Sequence, residues 1–206
     1  MRARTVAAFV LLLSVPAGAA VLERPGLGGI TTIPDMPGWW HAGSRPGAYA
    51  VELDRGVSHG GKASARLRAV EPDAKGFGSL MQIARADKYH GKRVRMSAWV
   101  RAEGVERSAG LWMRVDGPAQ DPTKSLAFDA MDGRKITGSR PWQKYEIVLE
   151  VAPDASDIAF GATLSGPGTI WIDDLTFEVV DASVPLTGSQ KAVVLPAEPQ
   201  NLGFEG

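Results

Sequence analysis

The chain has 206 residues, with 23 Lys and Arg against 23 Asp and Glu, 24 Gly, 14 Pro and no Cys. A formal charge of zero, with both signs interspersed along the length, argues against nucleic acid and against an anionic membrane surface as partners, since either would call for a basic stripe or patch. Without cysteine there is no disulfide framework, so stability has to come from an apolar core, and a chain of this length can bury one.

Met1-Arg2-Ala3-Arg4 leads into an apolar run over 6–15, broken only by Ser14, and then into Pro16-Ala17-Gly18-Ala19-Ala20. A basic start, an apolar stretch and small residues in that order predict a secretory signal cleaved after Ala19 or Ala20. The run is about ten residues, short of the roughly 20 that a membrane-spanning helix requires. The expected organisation is a signal peptide over 1–20, one domain over 21–182 and an extended tail over 183–206. The destination is the periplasm or the exterior, with no transmembrane segment after cleavage. Removing the signal takes away Arg2 and Arg4 and no acid, leaving 21 basic against 23 acidic residues.

Beyond the signal, Gly and Pro cut the chain into segments too short for most helices. Runs with period-two alternation lie at 49–53, 63–70, 77–84, 93–102, 110–116, 126–129, 142–151, 158–164 and 169–180. That number and spacing predict an all-β, antiparallel β-sandwich of jelly-roll type. Over 93–102, Val94, Met96, Ala98 and Val100 form one face and Arg95, Ser97, Trp99 and Arg101 the other. Over 110–116, Leu111, Met113 and Val115 alternate with Trp112, Arg114 and Asp116. The apolar sets belong to the core. The 81–90 stretch is read as strand and loop. After residue 180 the pattern decays into a Pro- and Ser-containing segment.

Four phrases fall in a telling order: Pro37-Gly38-Trp39-Trp40, His59-Gly60-Gly61-Lys62-Ala63-Ser64, Arg95-Met96-Ser97-Ala98-Trp99-Val100-Arg101 and Trp171-Ile172-Asp173-Asp174-Leu175. Together, over about 38–180, the chain resembles the galactose-binding-like jelly rolls, which include many bacterial carbohydrate-binding modules. The resemblance implies a sandwich fold and, less directly, carbohydrate binding, because fold transfers better than function. Such modules often open with an Asn-x-Gly-Phe-Glu phrase whose Glu shares a structural calcium with an acid of the final strand. Here the first positions lack it, and the phrase stands at the other end as Asn201-Leu202-Gly203-Phe204-Glu205. Either the tail folds back beside 169–180 and Glu205 joins Asp173 or Asp174 around calcium, or the phrase begins a further module and the two aspartates only accept loop amides. Calcium tolerates one or two carboxylates supplemented by backbone oxygens.

Catalytic constellations are poorly represented. His41, His59 and His90 sit among turn residues with no His-x-x-x-His pair and no Gly-x-Ser-x-Gly elbow. Asp173 and Asp174 are adjacent, so on a regular strand they point to opposite faces rather than flanking a glycosidic bond. The expectation is therefore a non-catalytic binding module. A sugar presents an apolar C–H face and a rim of hydroxyls, which suits a flat aromatic beside charged or amide groups. Trp99, Arg101, Trp112 and Arg114 have that mixture and are expected on one sheet face, with Gln82 joining if its strand is in register. The competing reading makes both tryptophans parts of a second packed layer and pairs the arginines with Asp116 or Glu103. Trp39, Trp40 and Tyr49 offer a loop-edge platform instead, while Trp142 and Trp171 read as packing residues. The partner is thus a glycan or, in a structural domain without a small ligand, an envelope protein joined through the tail or a strand edge.

Overall fold

The computed structural model describes residues 30–118 and 125–190. In chain order the strands are β1 (Thr31–Thr32), β2 (Trp40–Gly43), β3 (Tyr49–Asp54), β4 (Ser64–Ala69), β5 (Phe77–Arg85), β6 (Lys92–Asp116), β7 (Ser125–Asp129), β8 (Ile136–Val151), β9 (Asp157–Ser165), β10 (Thr169–Val180) and β11 (Ser189–Gln190). Single 3-10 turns occupy Pro46–Ala48 and Asp87–Tyr89. Among the described residues no helix is long and apolar enough to cross a membrane.

Every pairing is antiparallel, in the order β1-β2-β5-β9-β6-β10-β4-β3, with β7 and β8 also bonded to β6 and β11 to β7. The runs expected as two strands over 93–102 and 110–116 are one, and this 25-residue strand organises the fold. Its first part, 93–103, pairs with β10, and its second, 108–116, pairs with β9. The sheet therefore curls into two walls joined through β6. Val94, Met96, Ala98 and Val100 from the first part meet Leu111, Met113 and Val115 from the second in one core, together with Leu67, Leu80, Ile147, Leu164 and Ile170. At about 1.5–3 kcal/mol for each fully buried aliphatic side chain, this shared interior is the main stabilising term.

The passage between walls needs a change of phase. Inward positions are even-numbered up to Ala102 and odd-numbered from Val105 onward, so one step between inward residues is three residues long. Gly104 lies there at φ +58°, and the pairing of β6 with β8 slips on both sides of it. Such bulges bend a strand and re-aim its side chains. β1, β2 and β11 are too short to show alternation in sequence, so the periodicity does not reveal them.

Within the segment read as an extended tail, Ser189 and Gln190 form β11 and join the sheet. Thr187 donates its amide to Val148 O at 3.1 Å, Val148 donates its amide to Thr187 Oγ1 at 2.8 Å, and Ser189 is in register with Phe128 of β7. Arg93 anchors the preceding turn by donating to the carbonyls of Ala182 and Val184. This stretch follows β8 and β7 rather than β10. The Asn201–Glu205 phrase and the expected signal over 1–20 lie outside the described residues.

Candidate functional site

The outer face of the β2-β5-β9-β6 wall carries a second apolar cluster, built from Ile30, Ala42, Met81, Trp112 and Ala159. Trp112, Gly161 and Met81 stand in register across β6, β9 and β5. Trp112 is 9% exposed, and its indole nitrogen donates to Ser79 Oγ at 3.1 Å, which in turn donates to Ala162 O at 3.1 Å. β9 lies between the strands that carry Trp112 and Ser79, and Gly161 presents no side chain to obstruct the indole crossing it. The ring is thus held flat against the sheet by packing and by its one polar handle.

Over this floor lies a cleft of about 580 Å³. Phe77 from β5 and Phe128 from β7 stand at its margin, each 40% exposed. Arg114, Asp132 and Lys135 supply its charge. Arg114 is forked onto Asp116, with Nε 2.6 Å from Oδ1 and a terminal nitrogen 2.9 Å from Oδ2, and Lys135 Nζ is 3.0 Å from Asp132 Oδ1. Both cations of the cleft thus have an acid beside them, and the forked Arg114 presents its remaining N–H donors in defined positions.

The structure divides the expected site. Trp112 and Arg114 line the cleft, whereas Trp99 and Arg101 project from the other wall, because an outward side chain in the first part of β6 and one in the second face opposite sides of the sandwich. Trp99 is covered: the His59 imidazole stacks on it with centroids 3.9 Å apart and planes at 14°. Arg101 lies over the Trp171 ring at 5.0 Å and approaches Glu103 at 3.7 Å. Gln82 is not in the cleft, since its amide nitrogen donates to Gly38 O at 3.0 Å and its neighbours Met81 and Ile83 take the outward positions. The arginine partners are those of the competing sequence reading, Asp116 and Glu103. Nor do Trp39, Trp40 and Tyr49 make a platform. Trp39 packs edge-on against Phe160, Trp40 packs on the second cluster, and buried Tyr49 bonds Gly76 O and the Gly166 amide, both at 3.0 Å.

Asp173 and Asp174 fasten the loop that carries His59. A bulge falls between Asp173 and Thr176, with Asp174 at φ +48°, so the two carboxylates reach the same loop instead of opposite faces. Asp173 Oδ2 accepts the amides of His59 and Gly60 at 2.8 and 3.1 Å, its Oδ1 accepts the Asp174 amide at 2.8 Å, and Asp174 Oδ2 lies 2.7 Å from His59 Nδ1. Among the described residues no three His, Asp or Glu side chains converge as a metal cage, and Glu205 lies outside them. Below this loop, Asp54 Oδ2 accepts the Trp171 indole N–H at 2.9 Å. That bond, with the Gly56 amide, holds the Asp54 carboxyl below its ordinary range.

Phe77, Ser79, Met81, Phe128, Asp132 and Lys135 were not singled out by the sequence. Phe128 had a signal, being an aromatic that alternates with inward Ala127. What the sequence lacked was the pairing that sets β5 and β7 on either side of the Trp112 strand.

No protein-family model matches the chain. It is 44% identical over 171 residues to the uncharacterized HTH-type transcriptional regulator YbfP of Bacillus subtilis (strain 168), an alignment covering 82% of this chain and 57% of that protein. Among solved structures, it is similar to the enzymatically active domain of bacteriophage CBA120 tailspike protein 4, with a TM-score of 0.52 and 16% identity over 70% of this chain and 20% of the other. It is also similar to the CBM22-1 xylan-binding domain of Paenibacillus barcinonensis Xyn10C (TM-score 0.48, 14% identity, 71% and 88% of the two chains) and to TmCBM61 in complex with β-1,4-galactotriose (0.45, 16%, 70% and 90%). The likeness to the tailspike domain concerns the fold alone, and the strand pairings of this chain are those of an antiparallel β-sandwich of jelly-roll type.

Proposed function

We propose that the cleft over Trp112 binds a carbohydrate and that the chain is an exported, non-catalytic binding module. One observation carries this reading: an immobilised indole floors a cleft of about 580 Å³ between two exposed phenylalanines, with Arg114 forked onto Asp116 and Lys135 paired with Asp132 beside it. The C–H face of a sugar packs on aromatic carbon without ordering new side chains, and its hydroxyls meet donors and acceptors held in place. Export is supported by the basic start, the apolar run and the small residues that follow one another over 1–20.

Affinity electrophoresis of the mature chain through gels containing xylan or β-1,4-galactan tests it. Retardation is expected in at least one gel, reduced at least tenfold in affinity by Phe77→Ala with Phe128→Ala. Both side chains are exposed, so the fold tolerates the change. Binding that survives the double substitution would remove the cleft from the reading.

A second reading follows from the 44% identity to a transcriptional regulator. In it the same sandwich is the sensing part of a regulator and the cleft takes a free small sugar. Fractionating cells that express the tagged full-length chain separates the two, since a sensor of that kind stays with the cytosol and an exported module does not.

A further inference from the structure

On the wall opposite the cleft, a recess opens where β6 and β8 lose register. The strands pair in step from Lys92 with Val151 to Val100 with Gln143, then slip between Val100 and Ala102 and again between Ala102 and Val105. The gap is lined by Arg101, Glu103, Ser139, Arg140, Pro141 and Trp142. Ser139 Oγ accepts the Gly104 amide at 3.0 Å, which ties the β8 side of the recess to the bend of β6. Trp142 is half-buried and meets the His59 ring edge-on at 5.8 Å. The Trp171 ring beneath Arg101 supports its guanidinium at 5.0 Å.

The charge of this recess differs from that of the cleft. Each cleft cation has an acid within 3.0 Å. Here two guanidiniums face one carboxylate, Glu103, which stays 3.7 Å from Arg101 and is 64% exposed, while Arg140 has no ion-pair partner among the described residues. Guanidinium forks match carboxylate and sulfate oxygens, and an indole beside them offers packing area for a sugar ring.

We propose that the Arg101, Arg140 and Trp142 recess is a second saccharide site that takes an acidic sugar, with its anionic group on the guanidiniums and its ring on Trp142. The proposal does not rest on the cleft reading, and the two sites fail separately. A uronate carboxylate and a sulfate ester share the required chemistry, so both are used as probes.

The test is an NMR titration of the mature chain with its indole signals assigned, using trigalacturonate, a chondroitin sulfate disaccharide and neutral galactotriose. An acidic probe is expected to shift the Trp142 indole signal and leave Trp112 unmoved. Its Kd should rise at least tenfold in Arg140→Gln, remain unchanged in Phe128→Ala, and rise with added NaCl as screening demands. Which acidic probe shifts Trp142 distinguishes carboxylate from sulfate. The proposal is overturned if neither moves Trp142, if binding is retained in Arg140→Gln, or if galactotriose shifts Trp142 with equal affinity.

Discussion

The Trp112 indole reaches across a neighbouring strand to Ser79, its Nε1 lying 3.1 Å from Ser79 Oγ, and Ser79 passes the contact on to Ala162 O. Trp112, the donor of the first bond, is 9% exposed and Ser79 3%. Ser79→Ala removes the acceptor of a nearly buried indole N–H, and an unsatisfied buried donor costs about 1–3 kcal/mol. Urea unfolding should show a loss of that size. A freed indole should also weaken any ligand of the cleft, whereas Ser79→Thr, which keeps the hydroxyl, should lose less of both.

Gly161 lies in register between Trp112 and Met81, where an added side chain has no room. A Cβ added there would sit 1.9 Å from Leu80 O, a backbone atom that cannot swing aside. Gly161→Ala must therefore push β9 from β5, and overpacking of this kind typically costs about 1–3 kcal/mol. Calorimetry should find the melting temperature lowered, with a larger effect than Gly47→Ala, where an added Cβ meets nothing within 4 Å.

The sandwich and its inward residues were readable because period two survives in the longest strands: Val94, Met96, Leu111 and Met113 are fully buried as their alternation requires. The site was readable only in parts. Trp112 and Arg114 were identifiable as an outward aromatic and cation, but their grouping with Trp99 and Arg101 assumed two adjacent strands on one wall. Alternation tells which side of its own strand a residue occupies. It does not tell that Gly104 and the neighbouring bulge carry one strand from wall to wall, which turns equivalent outward positions in opposite directions. Phe77 was hidden for a related reason, since β5 reaches the Trp112 strand only through β9, whose pairings with both strands are distant in sequence.

Asp173 is the fastener of the loop over Trp99, accepting three backbone amides. Asp173→Ala removes those acceptors from groups that water then reaches, so the stability loss should be modest, about 1–2 kcal/mol. The local effect should be larger. His59 loses the geometry that stacks it on Trp99, and acrylamide should quench Trp99 more strongly in the variant. Unchanged quenching would mean that the 2.7 Å contact between His59 and Asp174 holds the loop without Asp173.

His41 on β2 gives the fold a dependence on mild acid. Its Nε2 is buried with no hydrogen-bond partner among the described residues, and burial holds its pKa below the ordinary 6.5. The neutral imidazole is favoured in the folded state, so as pH falls through about 6.5 the unfolded chain takes up the proton first. The stability associated with neutral His41 is complete above that pH and is lost progressively below it. Glu52 and Asp54, whose carboxyls lie below their ordinary values of 4.5 and 3.8, lose their contributions only at lower pH. Melting temperatures at pH 7.5, 6.5 and 5.5 should therefore fall across the last interval, and His41→Gln, which cannot charge, should flatten that fall. Parallel declines in the two proteins would show that the proton is taken up elsewhere.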